Sequence, residues 1–316
     1  MNAIEIKNVD YIYPKTRRHE QPKPALVNVN LTIEEGHIFG LLGPNGSGKT
    51  TLFHILATRL KPTKGDVRIY GMDVVREAMG VRKNIGVLFQ HPSLDKKLTV
   101  NENLLHQGHL YGISGAPLNQ RIEDALQKFH LSDRQNDFVE HLSGGLQRRS
   151  EIAKGFLHEP RLLIMDEPST GLDPGARYDL WDSLFELKKR GVTILITTHL
   201  MEEGDKCDMV AILHQGRLRA MGTPQELKSK IGGDIISIQT RDPLALTQKI
   251  EERFRQKVAQ VDQTIRFEIK DGHKFIPQIV EAFPGLIQAI TLAKPTLEDV
   301  FVRETGQRFW HEGIPL

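Results

Sequence analysis

The chain has 316 residues, a formal net charge of +2, 39% hydrophobic and 26% charged residues, a balance that excludes a disordered chain and gives no electrostatic reason to seek nucleic acid. Its length allows one large α/β domain plus a small one. A lone cysteine, Cys207, excludes an intrachain disulfide and suits a reducing compartment, while the lack of a secretory pattern or of an apolar run of about 18 residues means that any membrane role is expected to run through a partner.

In chain order, Ile4, Ile6 and Val9 and then residues 25–33 read as strands, separated by a polar insert over 14–24 that holds Lys15, Arg17, Arg18 and His19. That basic cluster is a solvated loop or a contact for anionic lipid headgroups. Residues 38–42 form a short apolar strand that runs into a Gly-rich turn, and Leu52, Ile55 and Leu56 give helical spacing over 50–60. Strands are expected at 67–70 and 85–89, and a helical subdomain over 99–129 with a break at 112–117. Strands at 162–165 and 192–197 flank an amphipathic helix over 176–189, a parallel βαβ unit, and a hairpin follows over 211–220. Composition changes at Gly232-Gly233, which sets an expected boundary between domains at 1–232 and 233–316. Beyond it the order is strand, helix, strand, strand, helix, strand, the ferredoxin-like pattern.

The chemistry begins at Gly43-Pro44-Asn45-Gly46-Ser47-Gly48-Lys49-Thr50, a phosphate-loop pattern set between a predicted strand and a predicted helix, followed by Thr51 at the helix start. Glycines let backbone N–H groups turn toward phosphate oxygens, the helix start favours negative charge, Lys49 reaches the β- and γ-phosphates, and the Thr50 hydroxyl suits Mg²⁺. The strand at 162–165 ends in Asp166-Glu167, two carboxylates at the carboxyl edge of a buried sheet, where open α/β folds bind ligands. Asp166 is placed to support the metal and Glu167 to deprotonate an attacking water. Between them, Leu142-Ser143-Gly144-Gly145 precedes a helix; Ser143 reads as its N-cap, and the exposed glycine backbone as a second anion-binding helix start.

The order of these segments, with Gln90 at a strand end, Ser169-Thr170-Gly171-Leu172-Asp173 and then His199, resembles the ATP-binding cassette (ABC) ATPases over about residues 4–232. The resemblance implies an α/β fold with a helical subdomain, and adenine stacking by Tyr13, although the long insert leaves Tyr11 as a competing choice. It implies that Gln90 contacts Mg²⁺ and the attacking water and that His199 contacts the γ-phosphate. It also implies a head-to-tail dimer, a homodimer or a pair of paralogues, in which Ser143, Gly144 and Gly145 of one subunit close on ATP held by Lys49 of the other. The usual Gln after the glycines is Leu146 here; with the closing segment 295–301 this resembles the exporter branch of daunorubicin-resistance ATPases and polysaccharide and lipid exporters, although 295–301 also fits a plain amphipathic helix.

The expected function is thus MgATP hydrolysis that drives export through a separate multi-spanning permease, the chain sitting peripherally on the cytoplasmic face of the inner membrane and meeting its partner through 91–111. A soluble ABC ATPase working on ribosomes or DNA is the alternative, for which tandem cassettes or a long coiled coil would be the signature. A small-molecule kinase with the same loop would leave 143–145 and 169–173 without a use. His106 and His109, three apart on a predicted helix, lack further metal ligands at suitable spacing and read as a solvated face.

Overall fold

A computed structural model describes residues 1–14, 22–256, 258–261 and 264–306. The basic cluster of Lys15, Arg17, Arg18 and His19 lies outside the described residues. The strands and helices run β1 Asn2–Tyr13, β2 Lys23–Glu34, β3 Ile38–Leu42, α1 Lys49–Leu56, β4 Lys64–Ile69, β5 Met72–Asp73, α2 Ala78–Asn84, β6 Ile85–Leu88, α3 Val100–Leu110, α4 Gly115–Lys128, α5 Gly144–Phe156, β7 Leu162–Asp166 and α6 Pro174–Lys189. They continue as β8 Thr193–Thr198, α7 Met201–Gly204, β9 Met209–His214, β10 Arg217–Gly222, α8 Pro224–Ser229, β11 Asp234–Gln239, α9 Pro243–Phe254, β12 Ala259–Val261, β13 Thr264–Ile269, α10 Gly272–Ala282, β14 Ala289–Ala293 and α11 Leu297–Thr305.

Two compact units divide the chain, Met1–Arg219 and Ala220–Leu316. The division falls ahead of Gly232-Gly233 because α8, which precedes those glycines, packs with α11 inside the second unit.

In the first unit the site rests on a six-stranded sheet of order β10-β9-β3-β8-β7-β6. β3, β6, β7, β8 and β9 run parallel, and every residue of β3, β7 and β8 is buried, which is why these segments read as continuous apolar runs rather than alternations. Truncating one of them, as in Leu163→Ala, is expected to cost about 3 kcal/mol. A second sheet, β2-β1-β4-β5, is antiparallel and alternates buried with exposed positions along β2. The helical stretch after residue 99 breaks earlier than expected, over 111–114, and Pro117 sits in the first turn of α4, where its missing N–H removes no intrahelical bond.

The second unit holds an antiparallel sheet of order β12-β13-β11-β14, with a core of Ile236, Ile238, Leu246, Ile250, Ile265, Phe267 and Ile279. Strand and helix order together give the ferredoxin-like arrangement expected from the sequence. Segment 295–301 starts α11, whose Thr296 and Asp299 form a capping box, worth about 1 kcal/mol, while Asp299 also meets Arg266 of β13 at 2.5 Å.

Candidate functional site

β3 delivers the chain into the phosphate loop, and Gly48 turns it into α1 with φ of 108°. A β-carbon there would lie 2.6 Å from the Ala25 carbonyl oxygen, so both the left-handed backbone and the close approach require glycine. Lys49 opens α1 with its side chain buried; its Nζ donates to the carbonyls of Gly43 at 2.8 Å and Pro44 at 3.1 Å. Burial pushes this ammonium below the usual lysine range, opposed by the Glu167 and Asp166 carboxylates. The Ser47 hydroxyl is buried without a hydrogen-bond partner among the described residues, a polar atom in the loop suited to an anionic ligand.

At the end of β7, Asp166 Oδ1 accepts from Thr197 Oγ1 at 2.5 Å and from Thr50 Oγ1 at 3.4 Å. The next residue, Glu167, takes a left-handed backbone, φ 46°, a conformation that non-glycine residues hold only when their surroundings enforce it. Here its N–H donates to both the carbonyl and the hydroxyl of Thr197, at 3.0 and 3.1 Å. Its carboxylate is 8% exposed and stands 3.6 Å from Lys49 Nζ, 3.1 Å from His199 Nδ1 and 3.3 Å from the Thr170 hydroxyl. Adjacent β7 and β8 thus bring Asp166, Glu167 and His199 to one sheet edge beside the loop.

A cavity of about 420 Å³ opens there, lined by Tyr13, residues 45–51, Gln90 and Glu167 among others. Gln90 lies just past β6 and is exposed. The choice between the two tyrosines is one of geometry: Tyr11 is buried, whereas Tyr13 is 38% exposed, faces the cavity and shares a 3.1 Å hydrogen bond with Thr51, its ring edge-on to Tyr11 at 4.9 Å. Among the described residues no group of three or more His, Cys, Asp and Glu side chains could hold a metal, and His106 and His109 are both exposed. Asp166 and Thr50, one carboxylate and one hydroxyl beside a phosphate loop, fit Mg²⁺, which prefers a few protein oxygens completed by phosphate and water.

Ser143, Gly144 and Gly145 are not brought to this cavity. Ser143 is the N-cap of α5, its hydroxyl accepting from Leu146 N at 3.4 Å, and Ser143 and Gly144 are exposed. Gly145 is required for packing: a β-carbon would sit 2.8 Å from Cβ of Ala176 on α6. The Leu146 departure leaves this cap intact, and the adjacent Gln147 donates to the carbonyls of Val139 and Leu142 at 3.2 and 3.0 Å.

Several contributors were not apparent from the sequence. The Thr197 hydroxyl joins the Asp166 carboxylate to the Glu167 backbone N–H, and the next residue, Thr198, donates to buried Glu203 at 2.5 Å while accepting from Leu200 N, which fixes the turn that carries His199. Arg148 and Glu151 are buried, although opposite charges three apart on a helix read from sequence as a surface pair. Cys207 is buried, and burial pushes its thiol well above the usual range.

Residues 26–170 match the family described as ABC transporter, and residues 222–305 the family described as ATP-binding protein DrrA1-3-like, C-terminal domain. The chain is 38% identical over 295 residues to the daunorubicin resistance ATP-binding protein DrrA3 of Streptomyces coeruleorubidus, covering 90% of this chain and 92% of that protein. It is 37% identical over 304 residues to the Nod factor export ATP-binding protein I of Paraburkholderia xenovorans, covering 93% and 96%. Among solved structures, an ATP-binding subunit of an ABC transporter is 31% identical with a TM-score of 0.63, covering 73% of this chain and 93% of that one. An ATP-binding cassette in a dimeric post-hydrolysis state bound to ADP and Pi is 29% identical with a TM-score of 0.62, covering 70% and 98%.

Proposed function

The chain belongs to the ABC transporter family as an ATP-binding, ATP-hydrolysing subunit, and from that premise we propose that it powers export through a separate membrane-spanning permease. The observation that carries the catalytic part is the Glu167 carboxylate, held between Lys49 and His199 at the mouth of the phosphate loop.

In this reading ATP lies along the loop with its adenine on Tyr13 and its phosphates against the N–H groups of residues 43–51. Water attacks the γ-phosphorus in line with the departing ADP oxygen, and Glu167 takes the proton from that water while Gln90 orients it. Lys49 and His199 offset the charge on the equatorial oxygens. Asp166, Thr50 and Gln90 would hold Mg²⁺, which supplies charge neutralisation on the β- and γ-phosphates when bound.

The 143–145 turn stands outside the chain's own cavity, which favours its use on nucleotide held by a second subunit. The solved relative in a dimeric state bound to ADP and Pi supports that assignment, whether the pair is identical or mixed. Export is favoured by the similarity to the drug-resistance and Nod factor export ATP-binding proteins. A drug, a lipid or a polysaccharide is the cargo class of this branch. No helix among the described residues is long and apolar enough to cross a membrane, so a permease would supply the path. The chain then sits peripherally at the cytoplasmic face of the inner membrane, with 91–111 as the contact.

Affinity capture of the chain from detergent-solubilised membranes of its host tests this. A co-purifying multi-spanning protein is the expected result. Capture of ribosomes or DNA-repair proteins with nothing from the membrane would overturn the transport reading and leave the ATPase standing.

A further inference from the structure

Helix α5 buries a charged stripe. Arg148 and Glu151 are 7% and 3% exposed and meet at 2.6 Å. The remaining Arg148 contacts go to main chain: Nε donates to the Pro168 carbonyl at 2.7 Å, and Nη1 to the Phe89 carbonyl at 3.2 Å. Glu151 accepts from Ser93 N at 2.6 Å, and Lys154, one helical step further on, donates to the Ser93 carbonyl at 2.6 Å.

The placement is selective. Pro168 directly follows Glu167 and Phe89 directly precedes Gln90, so one guanidinium grips the backbone one residue from each side chain that addresses the attacking water. Glu151 and Lys154 then fix the far end of the arc that begins at Phe89. A buried ion pair is a poor device for stability, because desolvation offsets its attraction. Its value lies in geometry: the planar guanidinium fork reaches two carbonyls and a carboxylate at fixed angles, which a lysine cannot do.

We propose that Arg148 is a positioning residue for hydrolysis, setting Gln90 and Glu167 relative to each other and tying both to the helix whose first turn carries Ser143, Gly144 and Gly145. The inference rests on the roles given above to Gln90 and Glu167. It adds that the helix start presented to a second subunit and the water-handling groups of the chain's own site move as one body, joined by the Arg148, Glu151 and Lys154 stripe.

The test is a kinetic double-mutant cycle on the full chain with MgATP, using Arg148→Lys, Gln90→Ala and the double variant, with Glu167→Gln alongside. Arg148→Lys keeps the charge facing Glu151 and gives up the two-carbonyl grip. The expected result is a kcat lowered about tenfold with KM for ATP within about twofold. In the Gln90→Ala background the same change should cost much less, because its route is already broken. Unchanged kcat in Arg148→Lys, fully additive losses, or a KM rise that accounts for the whole loss would each overturn the proposal. Should Arg148→Lys fail to fold, Lys154→Met at a half-buried position releases only the Ser93 carbonyl. A kcat loss of about twofold at unchanged Tm supports the proposal and an unchanged kcat overturns it. Glu167→Gln at wild-type turnover would bring down the site reading and this inference with it, whereas an inactive Glu167→Gln beside a fully active Arg148→Lys would remove this inference alone.

Discussion

Two helix starts in the first unit are both suited to bind anions, and they are built differently. The start of α1 has no side-chain cap and is reached through Gly48 in a left-handed turn; Lys49, Asp166, Glu167 and His199 gather around it. The start of α5 is capped by Ser143, is exposed, and lies outside the cavity that the phosphate loop lines. The first arrangement can do chemistry on a bound phosphate and the second can only grip one. On the proposed reading this is a division of labour, in which each chain would carry a full set of reacting groups and a closing surface for nucleotide held by another chain.

The largest effect is expected from removing the reacting group. Glu167→Gln keeps the shape and the loop, and kcat should fall by about a hundredfold or more while ATP still binds, as steady-state phosphate release and equilibrium nucleotide binding would show. Next in size is the closing surface: Gly145→Asp forces a side chain against Ala176 and places charge toward phosphate, so turnover should fall about thirtyfold with binding to the isolated subunit unchanged. Mixing that variant with Lys49→Ala should restore activity, since one composite site then has both intact halves; activity no higher than either variant alone would contradict the division.

A smaller effect separates the tyrosines. Tyr13→Ala should raise KM for ATP about tenfold through lost stacking on adenine with little change in kcat, whereas Tyr11→Ala should lower stability by about 3 kcal/mol instead, read as a shift in denaturation midpoint. Smallest is a pH effect remote from the site. His158 stacks on Tyr111 at 3.8 Å and its Nε2 donates to the Ile85 carbonyl; burial holds its pKa, like that of His54, below the ordinary value. The unfolded chain therefore takes up protons that the folded one refuses, and stability falls as pH drops below about 6.5 until the lowered folded pKa values are passed. His158→Gln should flatten that fall in Tm between pH 7.5 and 5, leaving the His54 share.

The phosphate loop and the Asp166-Glu167 pair were legible in the sequence because each is a contiguous segment whose chemistry depends on its immediate strand and helix. The ferredoxin-like order of the second unit was legible for the same reason, since strand alternation and helix spacing are local. Tyr13 was preferred with Tyr11 as its competitor, because residues two apart share one face of a regular strand and the bulges that separate them here arise from pairing with β2. Arg148, Glu203 and Thr197 were missed because their partners lie 59, 5 and 31 residues away, and a buried charge has no signature apart from the fold that buries it. The earlier break before α4 shows a simpler confusion: Pro117 marks a helix start as readily as a helix end.

In the proposed cycle ATP is held between two chains, and its Glu167-dependent hydrolysis lets them part. Measuring the mass of the purified Glu167→Gln variant in solution with MgATP and with MgADP tests it directly. A species of twice the 35.8 kDa chain mass is expected with MgATP and a single-chain mass with MgADP. The same single-chain mass in both, with the nucleotide shown to be bound, would contradict it.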